Sequence, residues 1–364
     1  MLSLLETLPK RGWMVSQAPP ATIRATQPAA RRLDTVPPDP AVKKKKRRVK
    51  KRLKRYDVRV WPTWLLVGFA WLVARLPLTA MAVLAESLGK LAFRLASERR
   101  EITRTNLARC FPDMSEQQRE TLARESFVHT AMGLMESMTV WLNPGRDFAS
   151  RTTINNGDRL EAARAQGKGV ILLGGHFSAL DVMGPGLAPL DLDVIYRENK
   201  NPVWEWLQVR GRQRFFGAVI ERSDARAILR RLKQGRVIWY AADQDYGRKR
   251  SVFAPFFGIS TASITATAKL AALTGAPVLL GSNFRDLKTL TWNAWADEPL
   301  PGFPSGDDVQ DATAINQAIE GAILRHPEQY LWMHRRFKTR PEGEPPFYRK
   351  SGKPGGQAQE PGAP

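Results

Sequence analysis

From residue 152 onward, short apolar runs alternate with stretches whose apolar positions recur every three or four residues. The runs "GVILLGG", "LDVIYRE", "VIWYAAD" and "APVLLGSNF" predict strands. Between them, "DARAILRRLKQG" and "TASITATAKLAALTG" predict helices. Alternation of this kind predicts an α/β layered fold with a mostly parallel sheet. Upstream, Ser115 opens "SEQQ", a capping-box pattern that predicts a long helix to about Leu142, ended by "WLNPGRDF". Earlier still, "VWPTWLLVGFAWLVARLP" (residues 60–77) holds three tryptophans and about fifteen mostly apolar residues before Arg75. That is short of the roughly 20 residues a membrane span needs. Extended through "LPLTAMAVLA", with Arg75 snorkelling and Pro77 as a kink, it predicts a membrane-associated helix over 56–85. Spanning and lying in the interface both stay open. An amphipathic core helix is the plainer alternative.

The flanks are of another kind. Residues 1–42 are rich in Pro, Ala and Thr with no sustained apolar period, and "SGKPGGQAQEPGAP" closes the chain; both predict disorder. The start, "MLSLLETLPKRGW", has neither a basic opening nor a long apolar core, so no secretory signal is expected. The predicted organisation is a disordered polybasic extension over 1–55, the helix over 56–85, one α/β domain over 86–342 and a tail over 343–364. No internal repeat is visible.

Charge changes the picture at one place. The formal net charge is +21, and "KKKKRRVKKRLKR" (residues 43–55) supplies eleven of the basic side chains with no acidic ones. Beside a tryptophan-rich apolar segment, such a run predicts attraction to anionic lipid headgroups. Nucleic-acid binding is not expected, because the run is one low-complexity block with no recognition fold around it. Cys110 is the single cysteine, which excludes an intramolecular disulfide and a cysteine-rich metal site.

The candidate chemistry lies in "GVILLGGHFSALDVMG" (residues 169–184). Ligands of α/β sheets gather at the carboxyl ends of strands, so His176 should point into that crevice. If a helix begins near Phe177, Asp181 falls in its first turns and reaches the imidazole. A carboxylate there fixes the tautomer and stabilises the imidazolium, leaving the other ring nitrogen as a general base. No G-x-S-x-G elbow and no H-E-x-x-H pattern is present. A His/Asp pair without a protein nucleophile suits activation of a substrate hydroxyl toward an already activated acyl group. On these residues alone, a structural histidine is the competing reading.

The surroundings add to this. The blocks "GGHFSALDVMG", "VIYRENKNPVWEWLQVRGRQRFF", "VIWYAADQDYGRKRSVFAPFFGISTASITATAKLA" and "PEQYLWMHRRFKTRP" resemble the bacterial late acyltransferases of lipid A biosynthesis. These belong to the wider H-x4-D/E glycerolipid acyltransferase group. The resemblance runs from about Trp61 to Arg340. It implies a glycerolipid-acyltransferase-like layered fold and a catalytic pair of His176 and Asp181. It also implies that Arg212 and Asp243 are needed for activity on the substrate side, with Asp243 expected to hold an arginine or a hydroxyl in place. Arg197 and Arg214 are candidate helpers, since arginines clamp phosphates bidentately. Surface ion pairs for Arg212 and Arg214, and turn caps for Asp243 and Asp245, are the plainer readings. "SVFAPFFG" is read either as core or as a wall of an acyl groove. His129, His326 and His334 are read as structural.

What the resemblance implies is an acyltransferase at the cytoplasmic face of the bacterial inner membrane. It moves a fatty acyl chain from an acyl carrier protein thioester to a hydroxyl of an anionic lipid A precursor, with no metal or bound cofactor. A lysophospholipid, an ornithine lipid or another glycolipid is the alternative acceptor. A non-catalytic lipid-binding membrane protein is the alternative class.

Overall fold

The structure, a computed structural model, describes residues 54–348, so most of the 1–55 extension and the end of the 343–364 tail lie outside the described residues. Four helices come first: α1 (Trp61–Val73), α2 (Leu78–Leu95), α3 (Ser97–Cys110) and α4 (Glu116–Leu142). The capping box forms as expected. The Gln118 amide donates to the Ser115 hydroxyl oxygen at 3.2 Å, and the Ser115 amide donates to the Gln118 side chain at 2.8 Å. The single helix expected across 56–85, kinked at Pro77, does not form. The chain turns between Ala74 and Pro77, since proline offers no amide hydrogen and biases the preceding residue away from helix. Among the described residues no helix is long and apolar enough to cross a membrane. Helix α2 packs along α4, with Met81, Ala85, Met132 and Met135 in one cluster.

The α/β part then runs β1 (Thr152–Asn155), α5 (Gly157–Arg164), β2 (Val170–Gly174), α6 (Gly184–Leu187), β3 (Asp193–Tyr196), α7 (Pro202–Arg212), β4 (Ala218–Glu221), α8 (Ala225–Lys233) and β5 (Val237–Ala241). It continues with β6 (Ser251–Phe256), β7 (Ile259–Ile264), α9 (Ala266–Thr274), β8 (Val278–Asp286), β9 (Thr291–Pro299) and α10 (Asp308–Arg325). The main sheet has the order β1-β9-β8-β2-β5-β3-β4, parallel except where β8 meets β9. The four expected strands are its contiguous parallel centre, β8-β2-β5-β3. Strands β6 and β7 form a separate antiparallel pair. Residues Thr261–Ile264, expected as the start of a helix, belong to β7, and the helix begins only at Ala266.

Strand β2 shows why the centre was legible. All five of its residues are buried. Ile171 and Leu173 face a core completed by α10 residues Ile315 and Ile319, while Val170 and Leu172 face a second core with Leu160 of α5. The period of two sends neighbours to opposite faces, and each fully buried aliphatic side chain contributes about 1.5–3 kcal/mol. Part of the expected tail is also core: Phe347 and Tyr348 pack on it, and the Tyr348 hydroxyl donates to Asn106 Oδ1 at 2.7 Å.

Candidate active site

Strands β2 and β5 are parallel neighbours, and Gly174 is in register with Ala241. Two residues beyond each lie His176 and Asp243, so the register alone sets them side by side. The Asp243 carboxylate accepts twice from His176: from Nδ1–H at 2.5 Å and from the backbone amide at 2.7 Å. Asp243 is 1% exposed, whereas the His176 side chain keeps 27% of its surface open. Burial by itself disfavours the imidazolium, but the Asp243 charge and hydrogen bond outweigh it and raise the His176 pKa above the ordinary 6.5. Burial likewise works against the Asp243 carboxylate, yet His176 and the buried Tyr330 hydroxyl hold it below the usual carboxylate range. With Nδ1–H committed to Asp243, the Nε2 lone pair is the free base. It faces the Gln244 side-chain amide at 3.0 Å.

Asp181 does not orient the imidazole, and this corrects the expectation. No helix starts at Phe177. Residues 178–180 form a turn and a short 3-10 segment begins at Asp181, which swings the carboxylate toward α7. There it grips Arg212 bidentately, Nε to Oδ1 at 2.7 Å and Nη2 to Oδ2 at 3.1 Å. Both side chains are about nine-tenths buried. Burial opposes the guanidinium charge, and Asp181 more than restores it. The Ser137 hydroxyl of α4 adds a bond to Asp181 at 3.3 Å.

His176 and Arg212 line one cavity of about 600 Å³ with Tyr196, Arg197, Trp239 and Gln244. Its other walls include Arg222, Arg250 and the Glu221 carboxylate. Arg197 is at this cavity, where a helper is expected. Arg214 is not: it is exposed and donates to the Trp141 carbonyl at 2.7 Å, capping the end of α4. Asp245 has the turn-cap role, accepting from the Thr339 amide at 2.6 Å and from the Gly247 amide at 2.8 Å. Of the "SVFAPFFG" run only Ala254 and Phe256 are buried; Phe256 packs on Phe337, and the half-buried Phe257 packs on Phe111. Gln244, Arg222 and Tyr330 were missed by the sequence reading. The first two were within reach, because each follows a strand end that abuts the crevice. Tyr330 comes from a distant loop and carried no local signal.

A buried network fixes the loop after His176. Arg285 pairs with Glu136 of α4 at 2.8 and 2.5 Å and donates to Ser178 Oγ at 3.0 Å. The Trp292 indole donates to Glu136 at 2.9 Å. A Cβ at Gly133 of α4 would collide with the Ser178 carbonyl, so only glycine lets the helix approach this loop. Leu331 N–H donates to the His176 carbonyl at 3.1 Å, and Ser178 N–H to the Gln329 carbonyl at 2.8 Å.

A carboxylate-bound imidazole opening into a cavity of mixed polar and apolar lining can take a proton from a bound hydroxyl. The profile of the bacterial lipid A biosynthesis acyltransferase family matches residues 48–339, which is most of the chain and includes every site residue described above. The chain belongs to this family. The acyltransferase is 38% identical over 298 residues to the lipid A biosynthesis lauroyltransferase of Escherichia coli (strain K12), covering 80% of this chain and 95% of that protein. It is 37% identical over 292 residues to the palmitoleoyltransferase of the same strain, with 80% and 95% covered. The corresponding myristoyltransferase is 27% identical over 296 residues, with 80% and 92% covered.

Proposed function

We propose that the acyltransferase moves a fatty acyl chain from an acyl carrier protein thioester to a hydroxyl of an anionic lipid A precursor. His176 acts as general base and Asp243 holds its tautomer. The carrying observation is the His176–Asp243 pair opening, in a member of this family, into a cavity that Arg197, Arg212, Arg222 and Arg250 line. The acceptor hydroxyl gives its proton to Nε2 as its oxygen attacks the thioester carbonyl. The tetrahedral adduct then breaks its carbon–sulfur bond, and the imidazolium returns the proton to the leaving thiolate. The acceptor is the hydroxyl of a 3-hydroxyacyl chain on a phosphorylated disaccharide, whose phosphates suit the arginines. Arg212, held by Asp181, positions it. The negative charge of a carrier protein suits the basic surface in the same way.

The same reading places the enzyme at the cytoplasmic face of the inner membrane. In support, Trp61, Leu65, Phe69 and Leu72 form an exposed apolar stripe on α1, and Leu88, Leu91 and Leu95 form another on α2. Helices too short to span, with exposed apolar stripes and a polybasic neighbour, fit an in-plane interfacial docking.

The experiment is acyl transfer by the purified enzyme, followed by mass spectrometry of the acceptor. A lipid A precursor should gain one acyl chain with the wild type and none with His176→Ala. Mass spectrometry of lipid A from a deletion strain should show the loss of that chain. Transfer to a lysophospholipid or an ornithine lipid, with the lipid A precursor untouched, would overturn the acceptor assignment.

A further inference from the structure

We infer that Gln244 is a catalytic residue: its side-chain amide occupies the reactive lone pair of His176 in the free enzyme and donates to the oxyanion once the acyl group is attacked. The inference rests on the proposed role of His176 as base.

Two distances carry it. Nδ1 of His176 is committed to Asp243 at 2.5 Å, so Nε2 is the unprotonated nitrogen. Gln244 Nε2 sits 3.0 Å from that lone pair, and the amide group is the donor because imidazole Nε2 can only accept there. Gln244 follows Asp243 directly, so the strand end that fixes the imidazole also fixes this amide. Both side chains open on the same cavity.

An acceptor hydroxyl must come within hydrogen-bond reach of Nε2 to give up its proton. It then takes the place that the Gln244 amide fills, and the amide is displaced from Nε2 by the distance of one atom. The attacking oxygen and the developing oxyanion are bonded to the same carbon, so an amide displaced from Nε2 remains beside the oxyanion. Gln244 keeps two N–H donors and no charge, which is the chemistry of an oxyanion donor. In the resting site the same bond blocks the lone pair from water. The atoms balance without any further group: the proton passes from hydroxyl to Nε2 and on to the thiolate, and Gln244 only donates hydrogen bonds.

The test compares Gln244→Ala, Gln244→Glu and His176→Ala in the full-length enzyme, using an acyl carrier protein thioester and a lipid A precursor. Gln244→Ala should lower kcat roughly 10²–10³-fold, as loss of one oxyanion donor does, while both KM values stay within about twofold. The His176 titration, followed by NMR, should move to higher pH in Gln244→Ala, because a donor that favours the neutral ring has gone. Gln244→Glu keeps the shape and the packing but puts a carboxylate on Nε2. It should move the acid limb of the rate profile to higher pH and lower the plateau. Wild-type kcat in Gln244→Ala, or an unmoved profile in Gln244→Glu, with His176→Ala inactive, overturns the role of Gln244 and leaves the base intact. Turnover by His176→Ala overturns the base itself.

Discussion

Replacing Asp243 by asparagine separates the two carboxylates near His176. The present side chain accepts two bonds from His176, at 2.5 and 2.7 Å. Asparagine has the same shape but one oxygen, so one N–H must face an NH₂ group or go unpaired. A hydrogen bond to a charged group is worth about 1.5–3 kcal/mol, and at about 1.4 kcal/mol per decade its loss costs roughly 10–100-fold. The charge that stabilises the imidazolium is lost as well, and the equivalent change in a Ser-His-Asp triad costs about 10⁴-fold. The expected fall in kcat for Asp243→Asn is therefore between about 10² and 10⁴. The pH profile gives an independent reading. The base works as neutral imidazole, so the rate rises with pH through the His176 pKa, which Asp243 raises above 6.5. Without Asp243, burial and Arg212 both push that pKa down. The acid limb should move to lower pH while the plateau falls. Asp181→Asn leaves the hydrogen bonds of the imidazole pair untouched and acts on His176 only through the charge of Arg212, so its acid limb should move less than that of Asp243→Asn. The assay is steady-state transfer by purified variants across the histidine titration range. A shifted limb in Asp181→Asn with an unshifted one in Asp243→Asn would falsify the pairing and restore Asp181 as the orienting carboxylate.

Arg212→Lys keeps the charge but loses the planar fork on Asp181; the KM of the acceptor should rise more than that of the carrier thioester, in the same assay with each substrate varied in turn. Arg285→Met strands the buried Glu136 carboxylate and should cost about 3–5 kcal/mol in urea unfolding, whereas a loss near zero would mean Glu136 is already neutral. Leu65→Ser with Phe69→Ser should weaken binding to anionic vesicles, read by co-sedimentation, and spare turnover on detergent-dispersed substrate. Deleting residues 1–55 should weaken the same binding most at low salt, where screening is least.

The layered α/β class, the four central strands, the capping box at Ser115 and the place of His176 just past the end of a central strand were legible in the sequence alone. Each rests on a local signal. The parallel centre is buried on both faces, so its strands read as continuous apolar runs. The capping box is a four-residue hydrogen-bond pattern. The edge strands β1 and β4, with four residues each and only partial burial, gave no comparable pattern. The break at Pro77 was visible as a kink, but its depth depended on how α1 and α2 each dock on α4. Partnership within the site was decided only by tertiary structure. Asp181 stands five residues from His176 and looked like its partner, but the turn at 178–180 carries it to Arg212. Asp243, 67 residues away, meets the imidazole because β2 and β5 pair in a register that aligns Gly174 with Ala241. A sequence displays which groups are available, whereas strand register and loop direction, set by packing over the whole core, decide which of them touch.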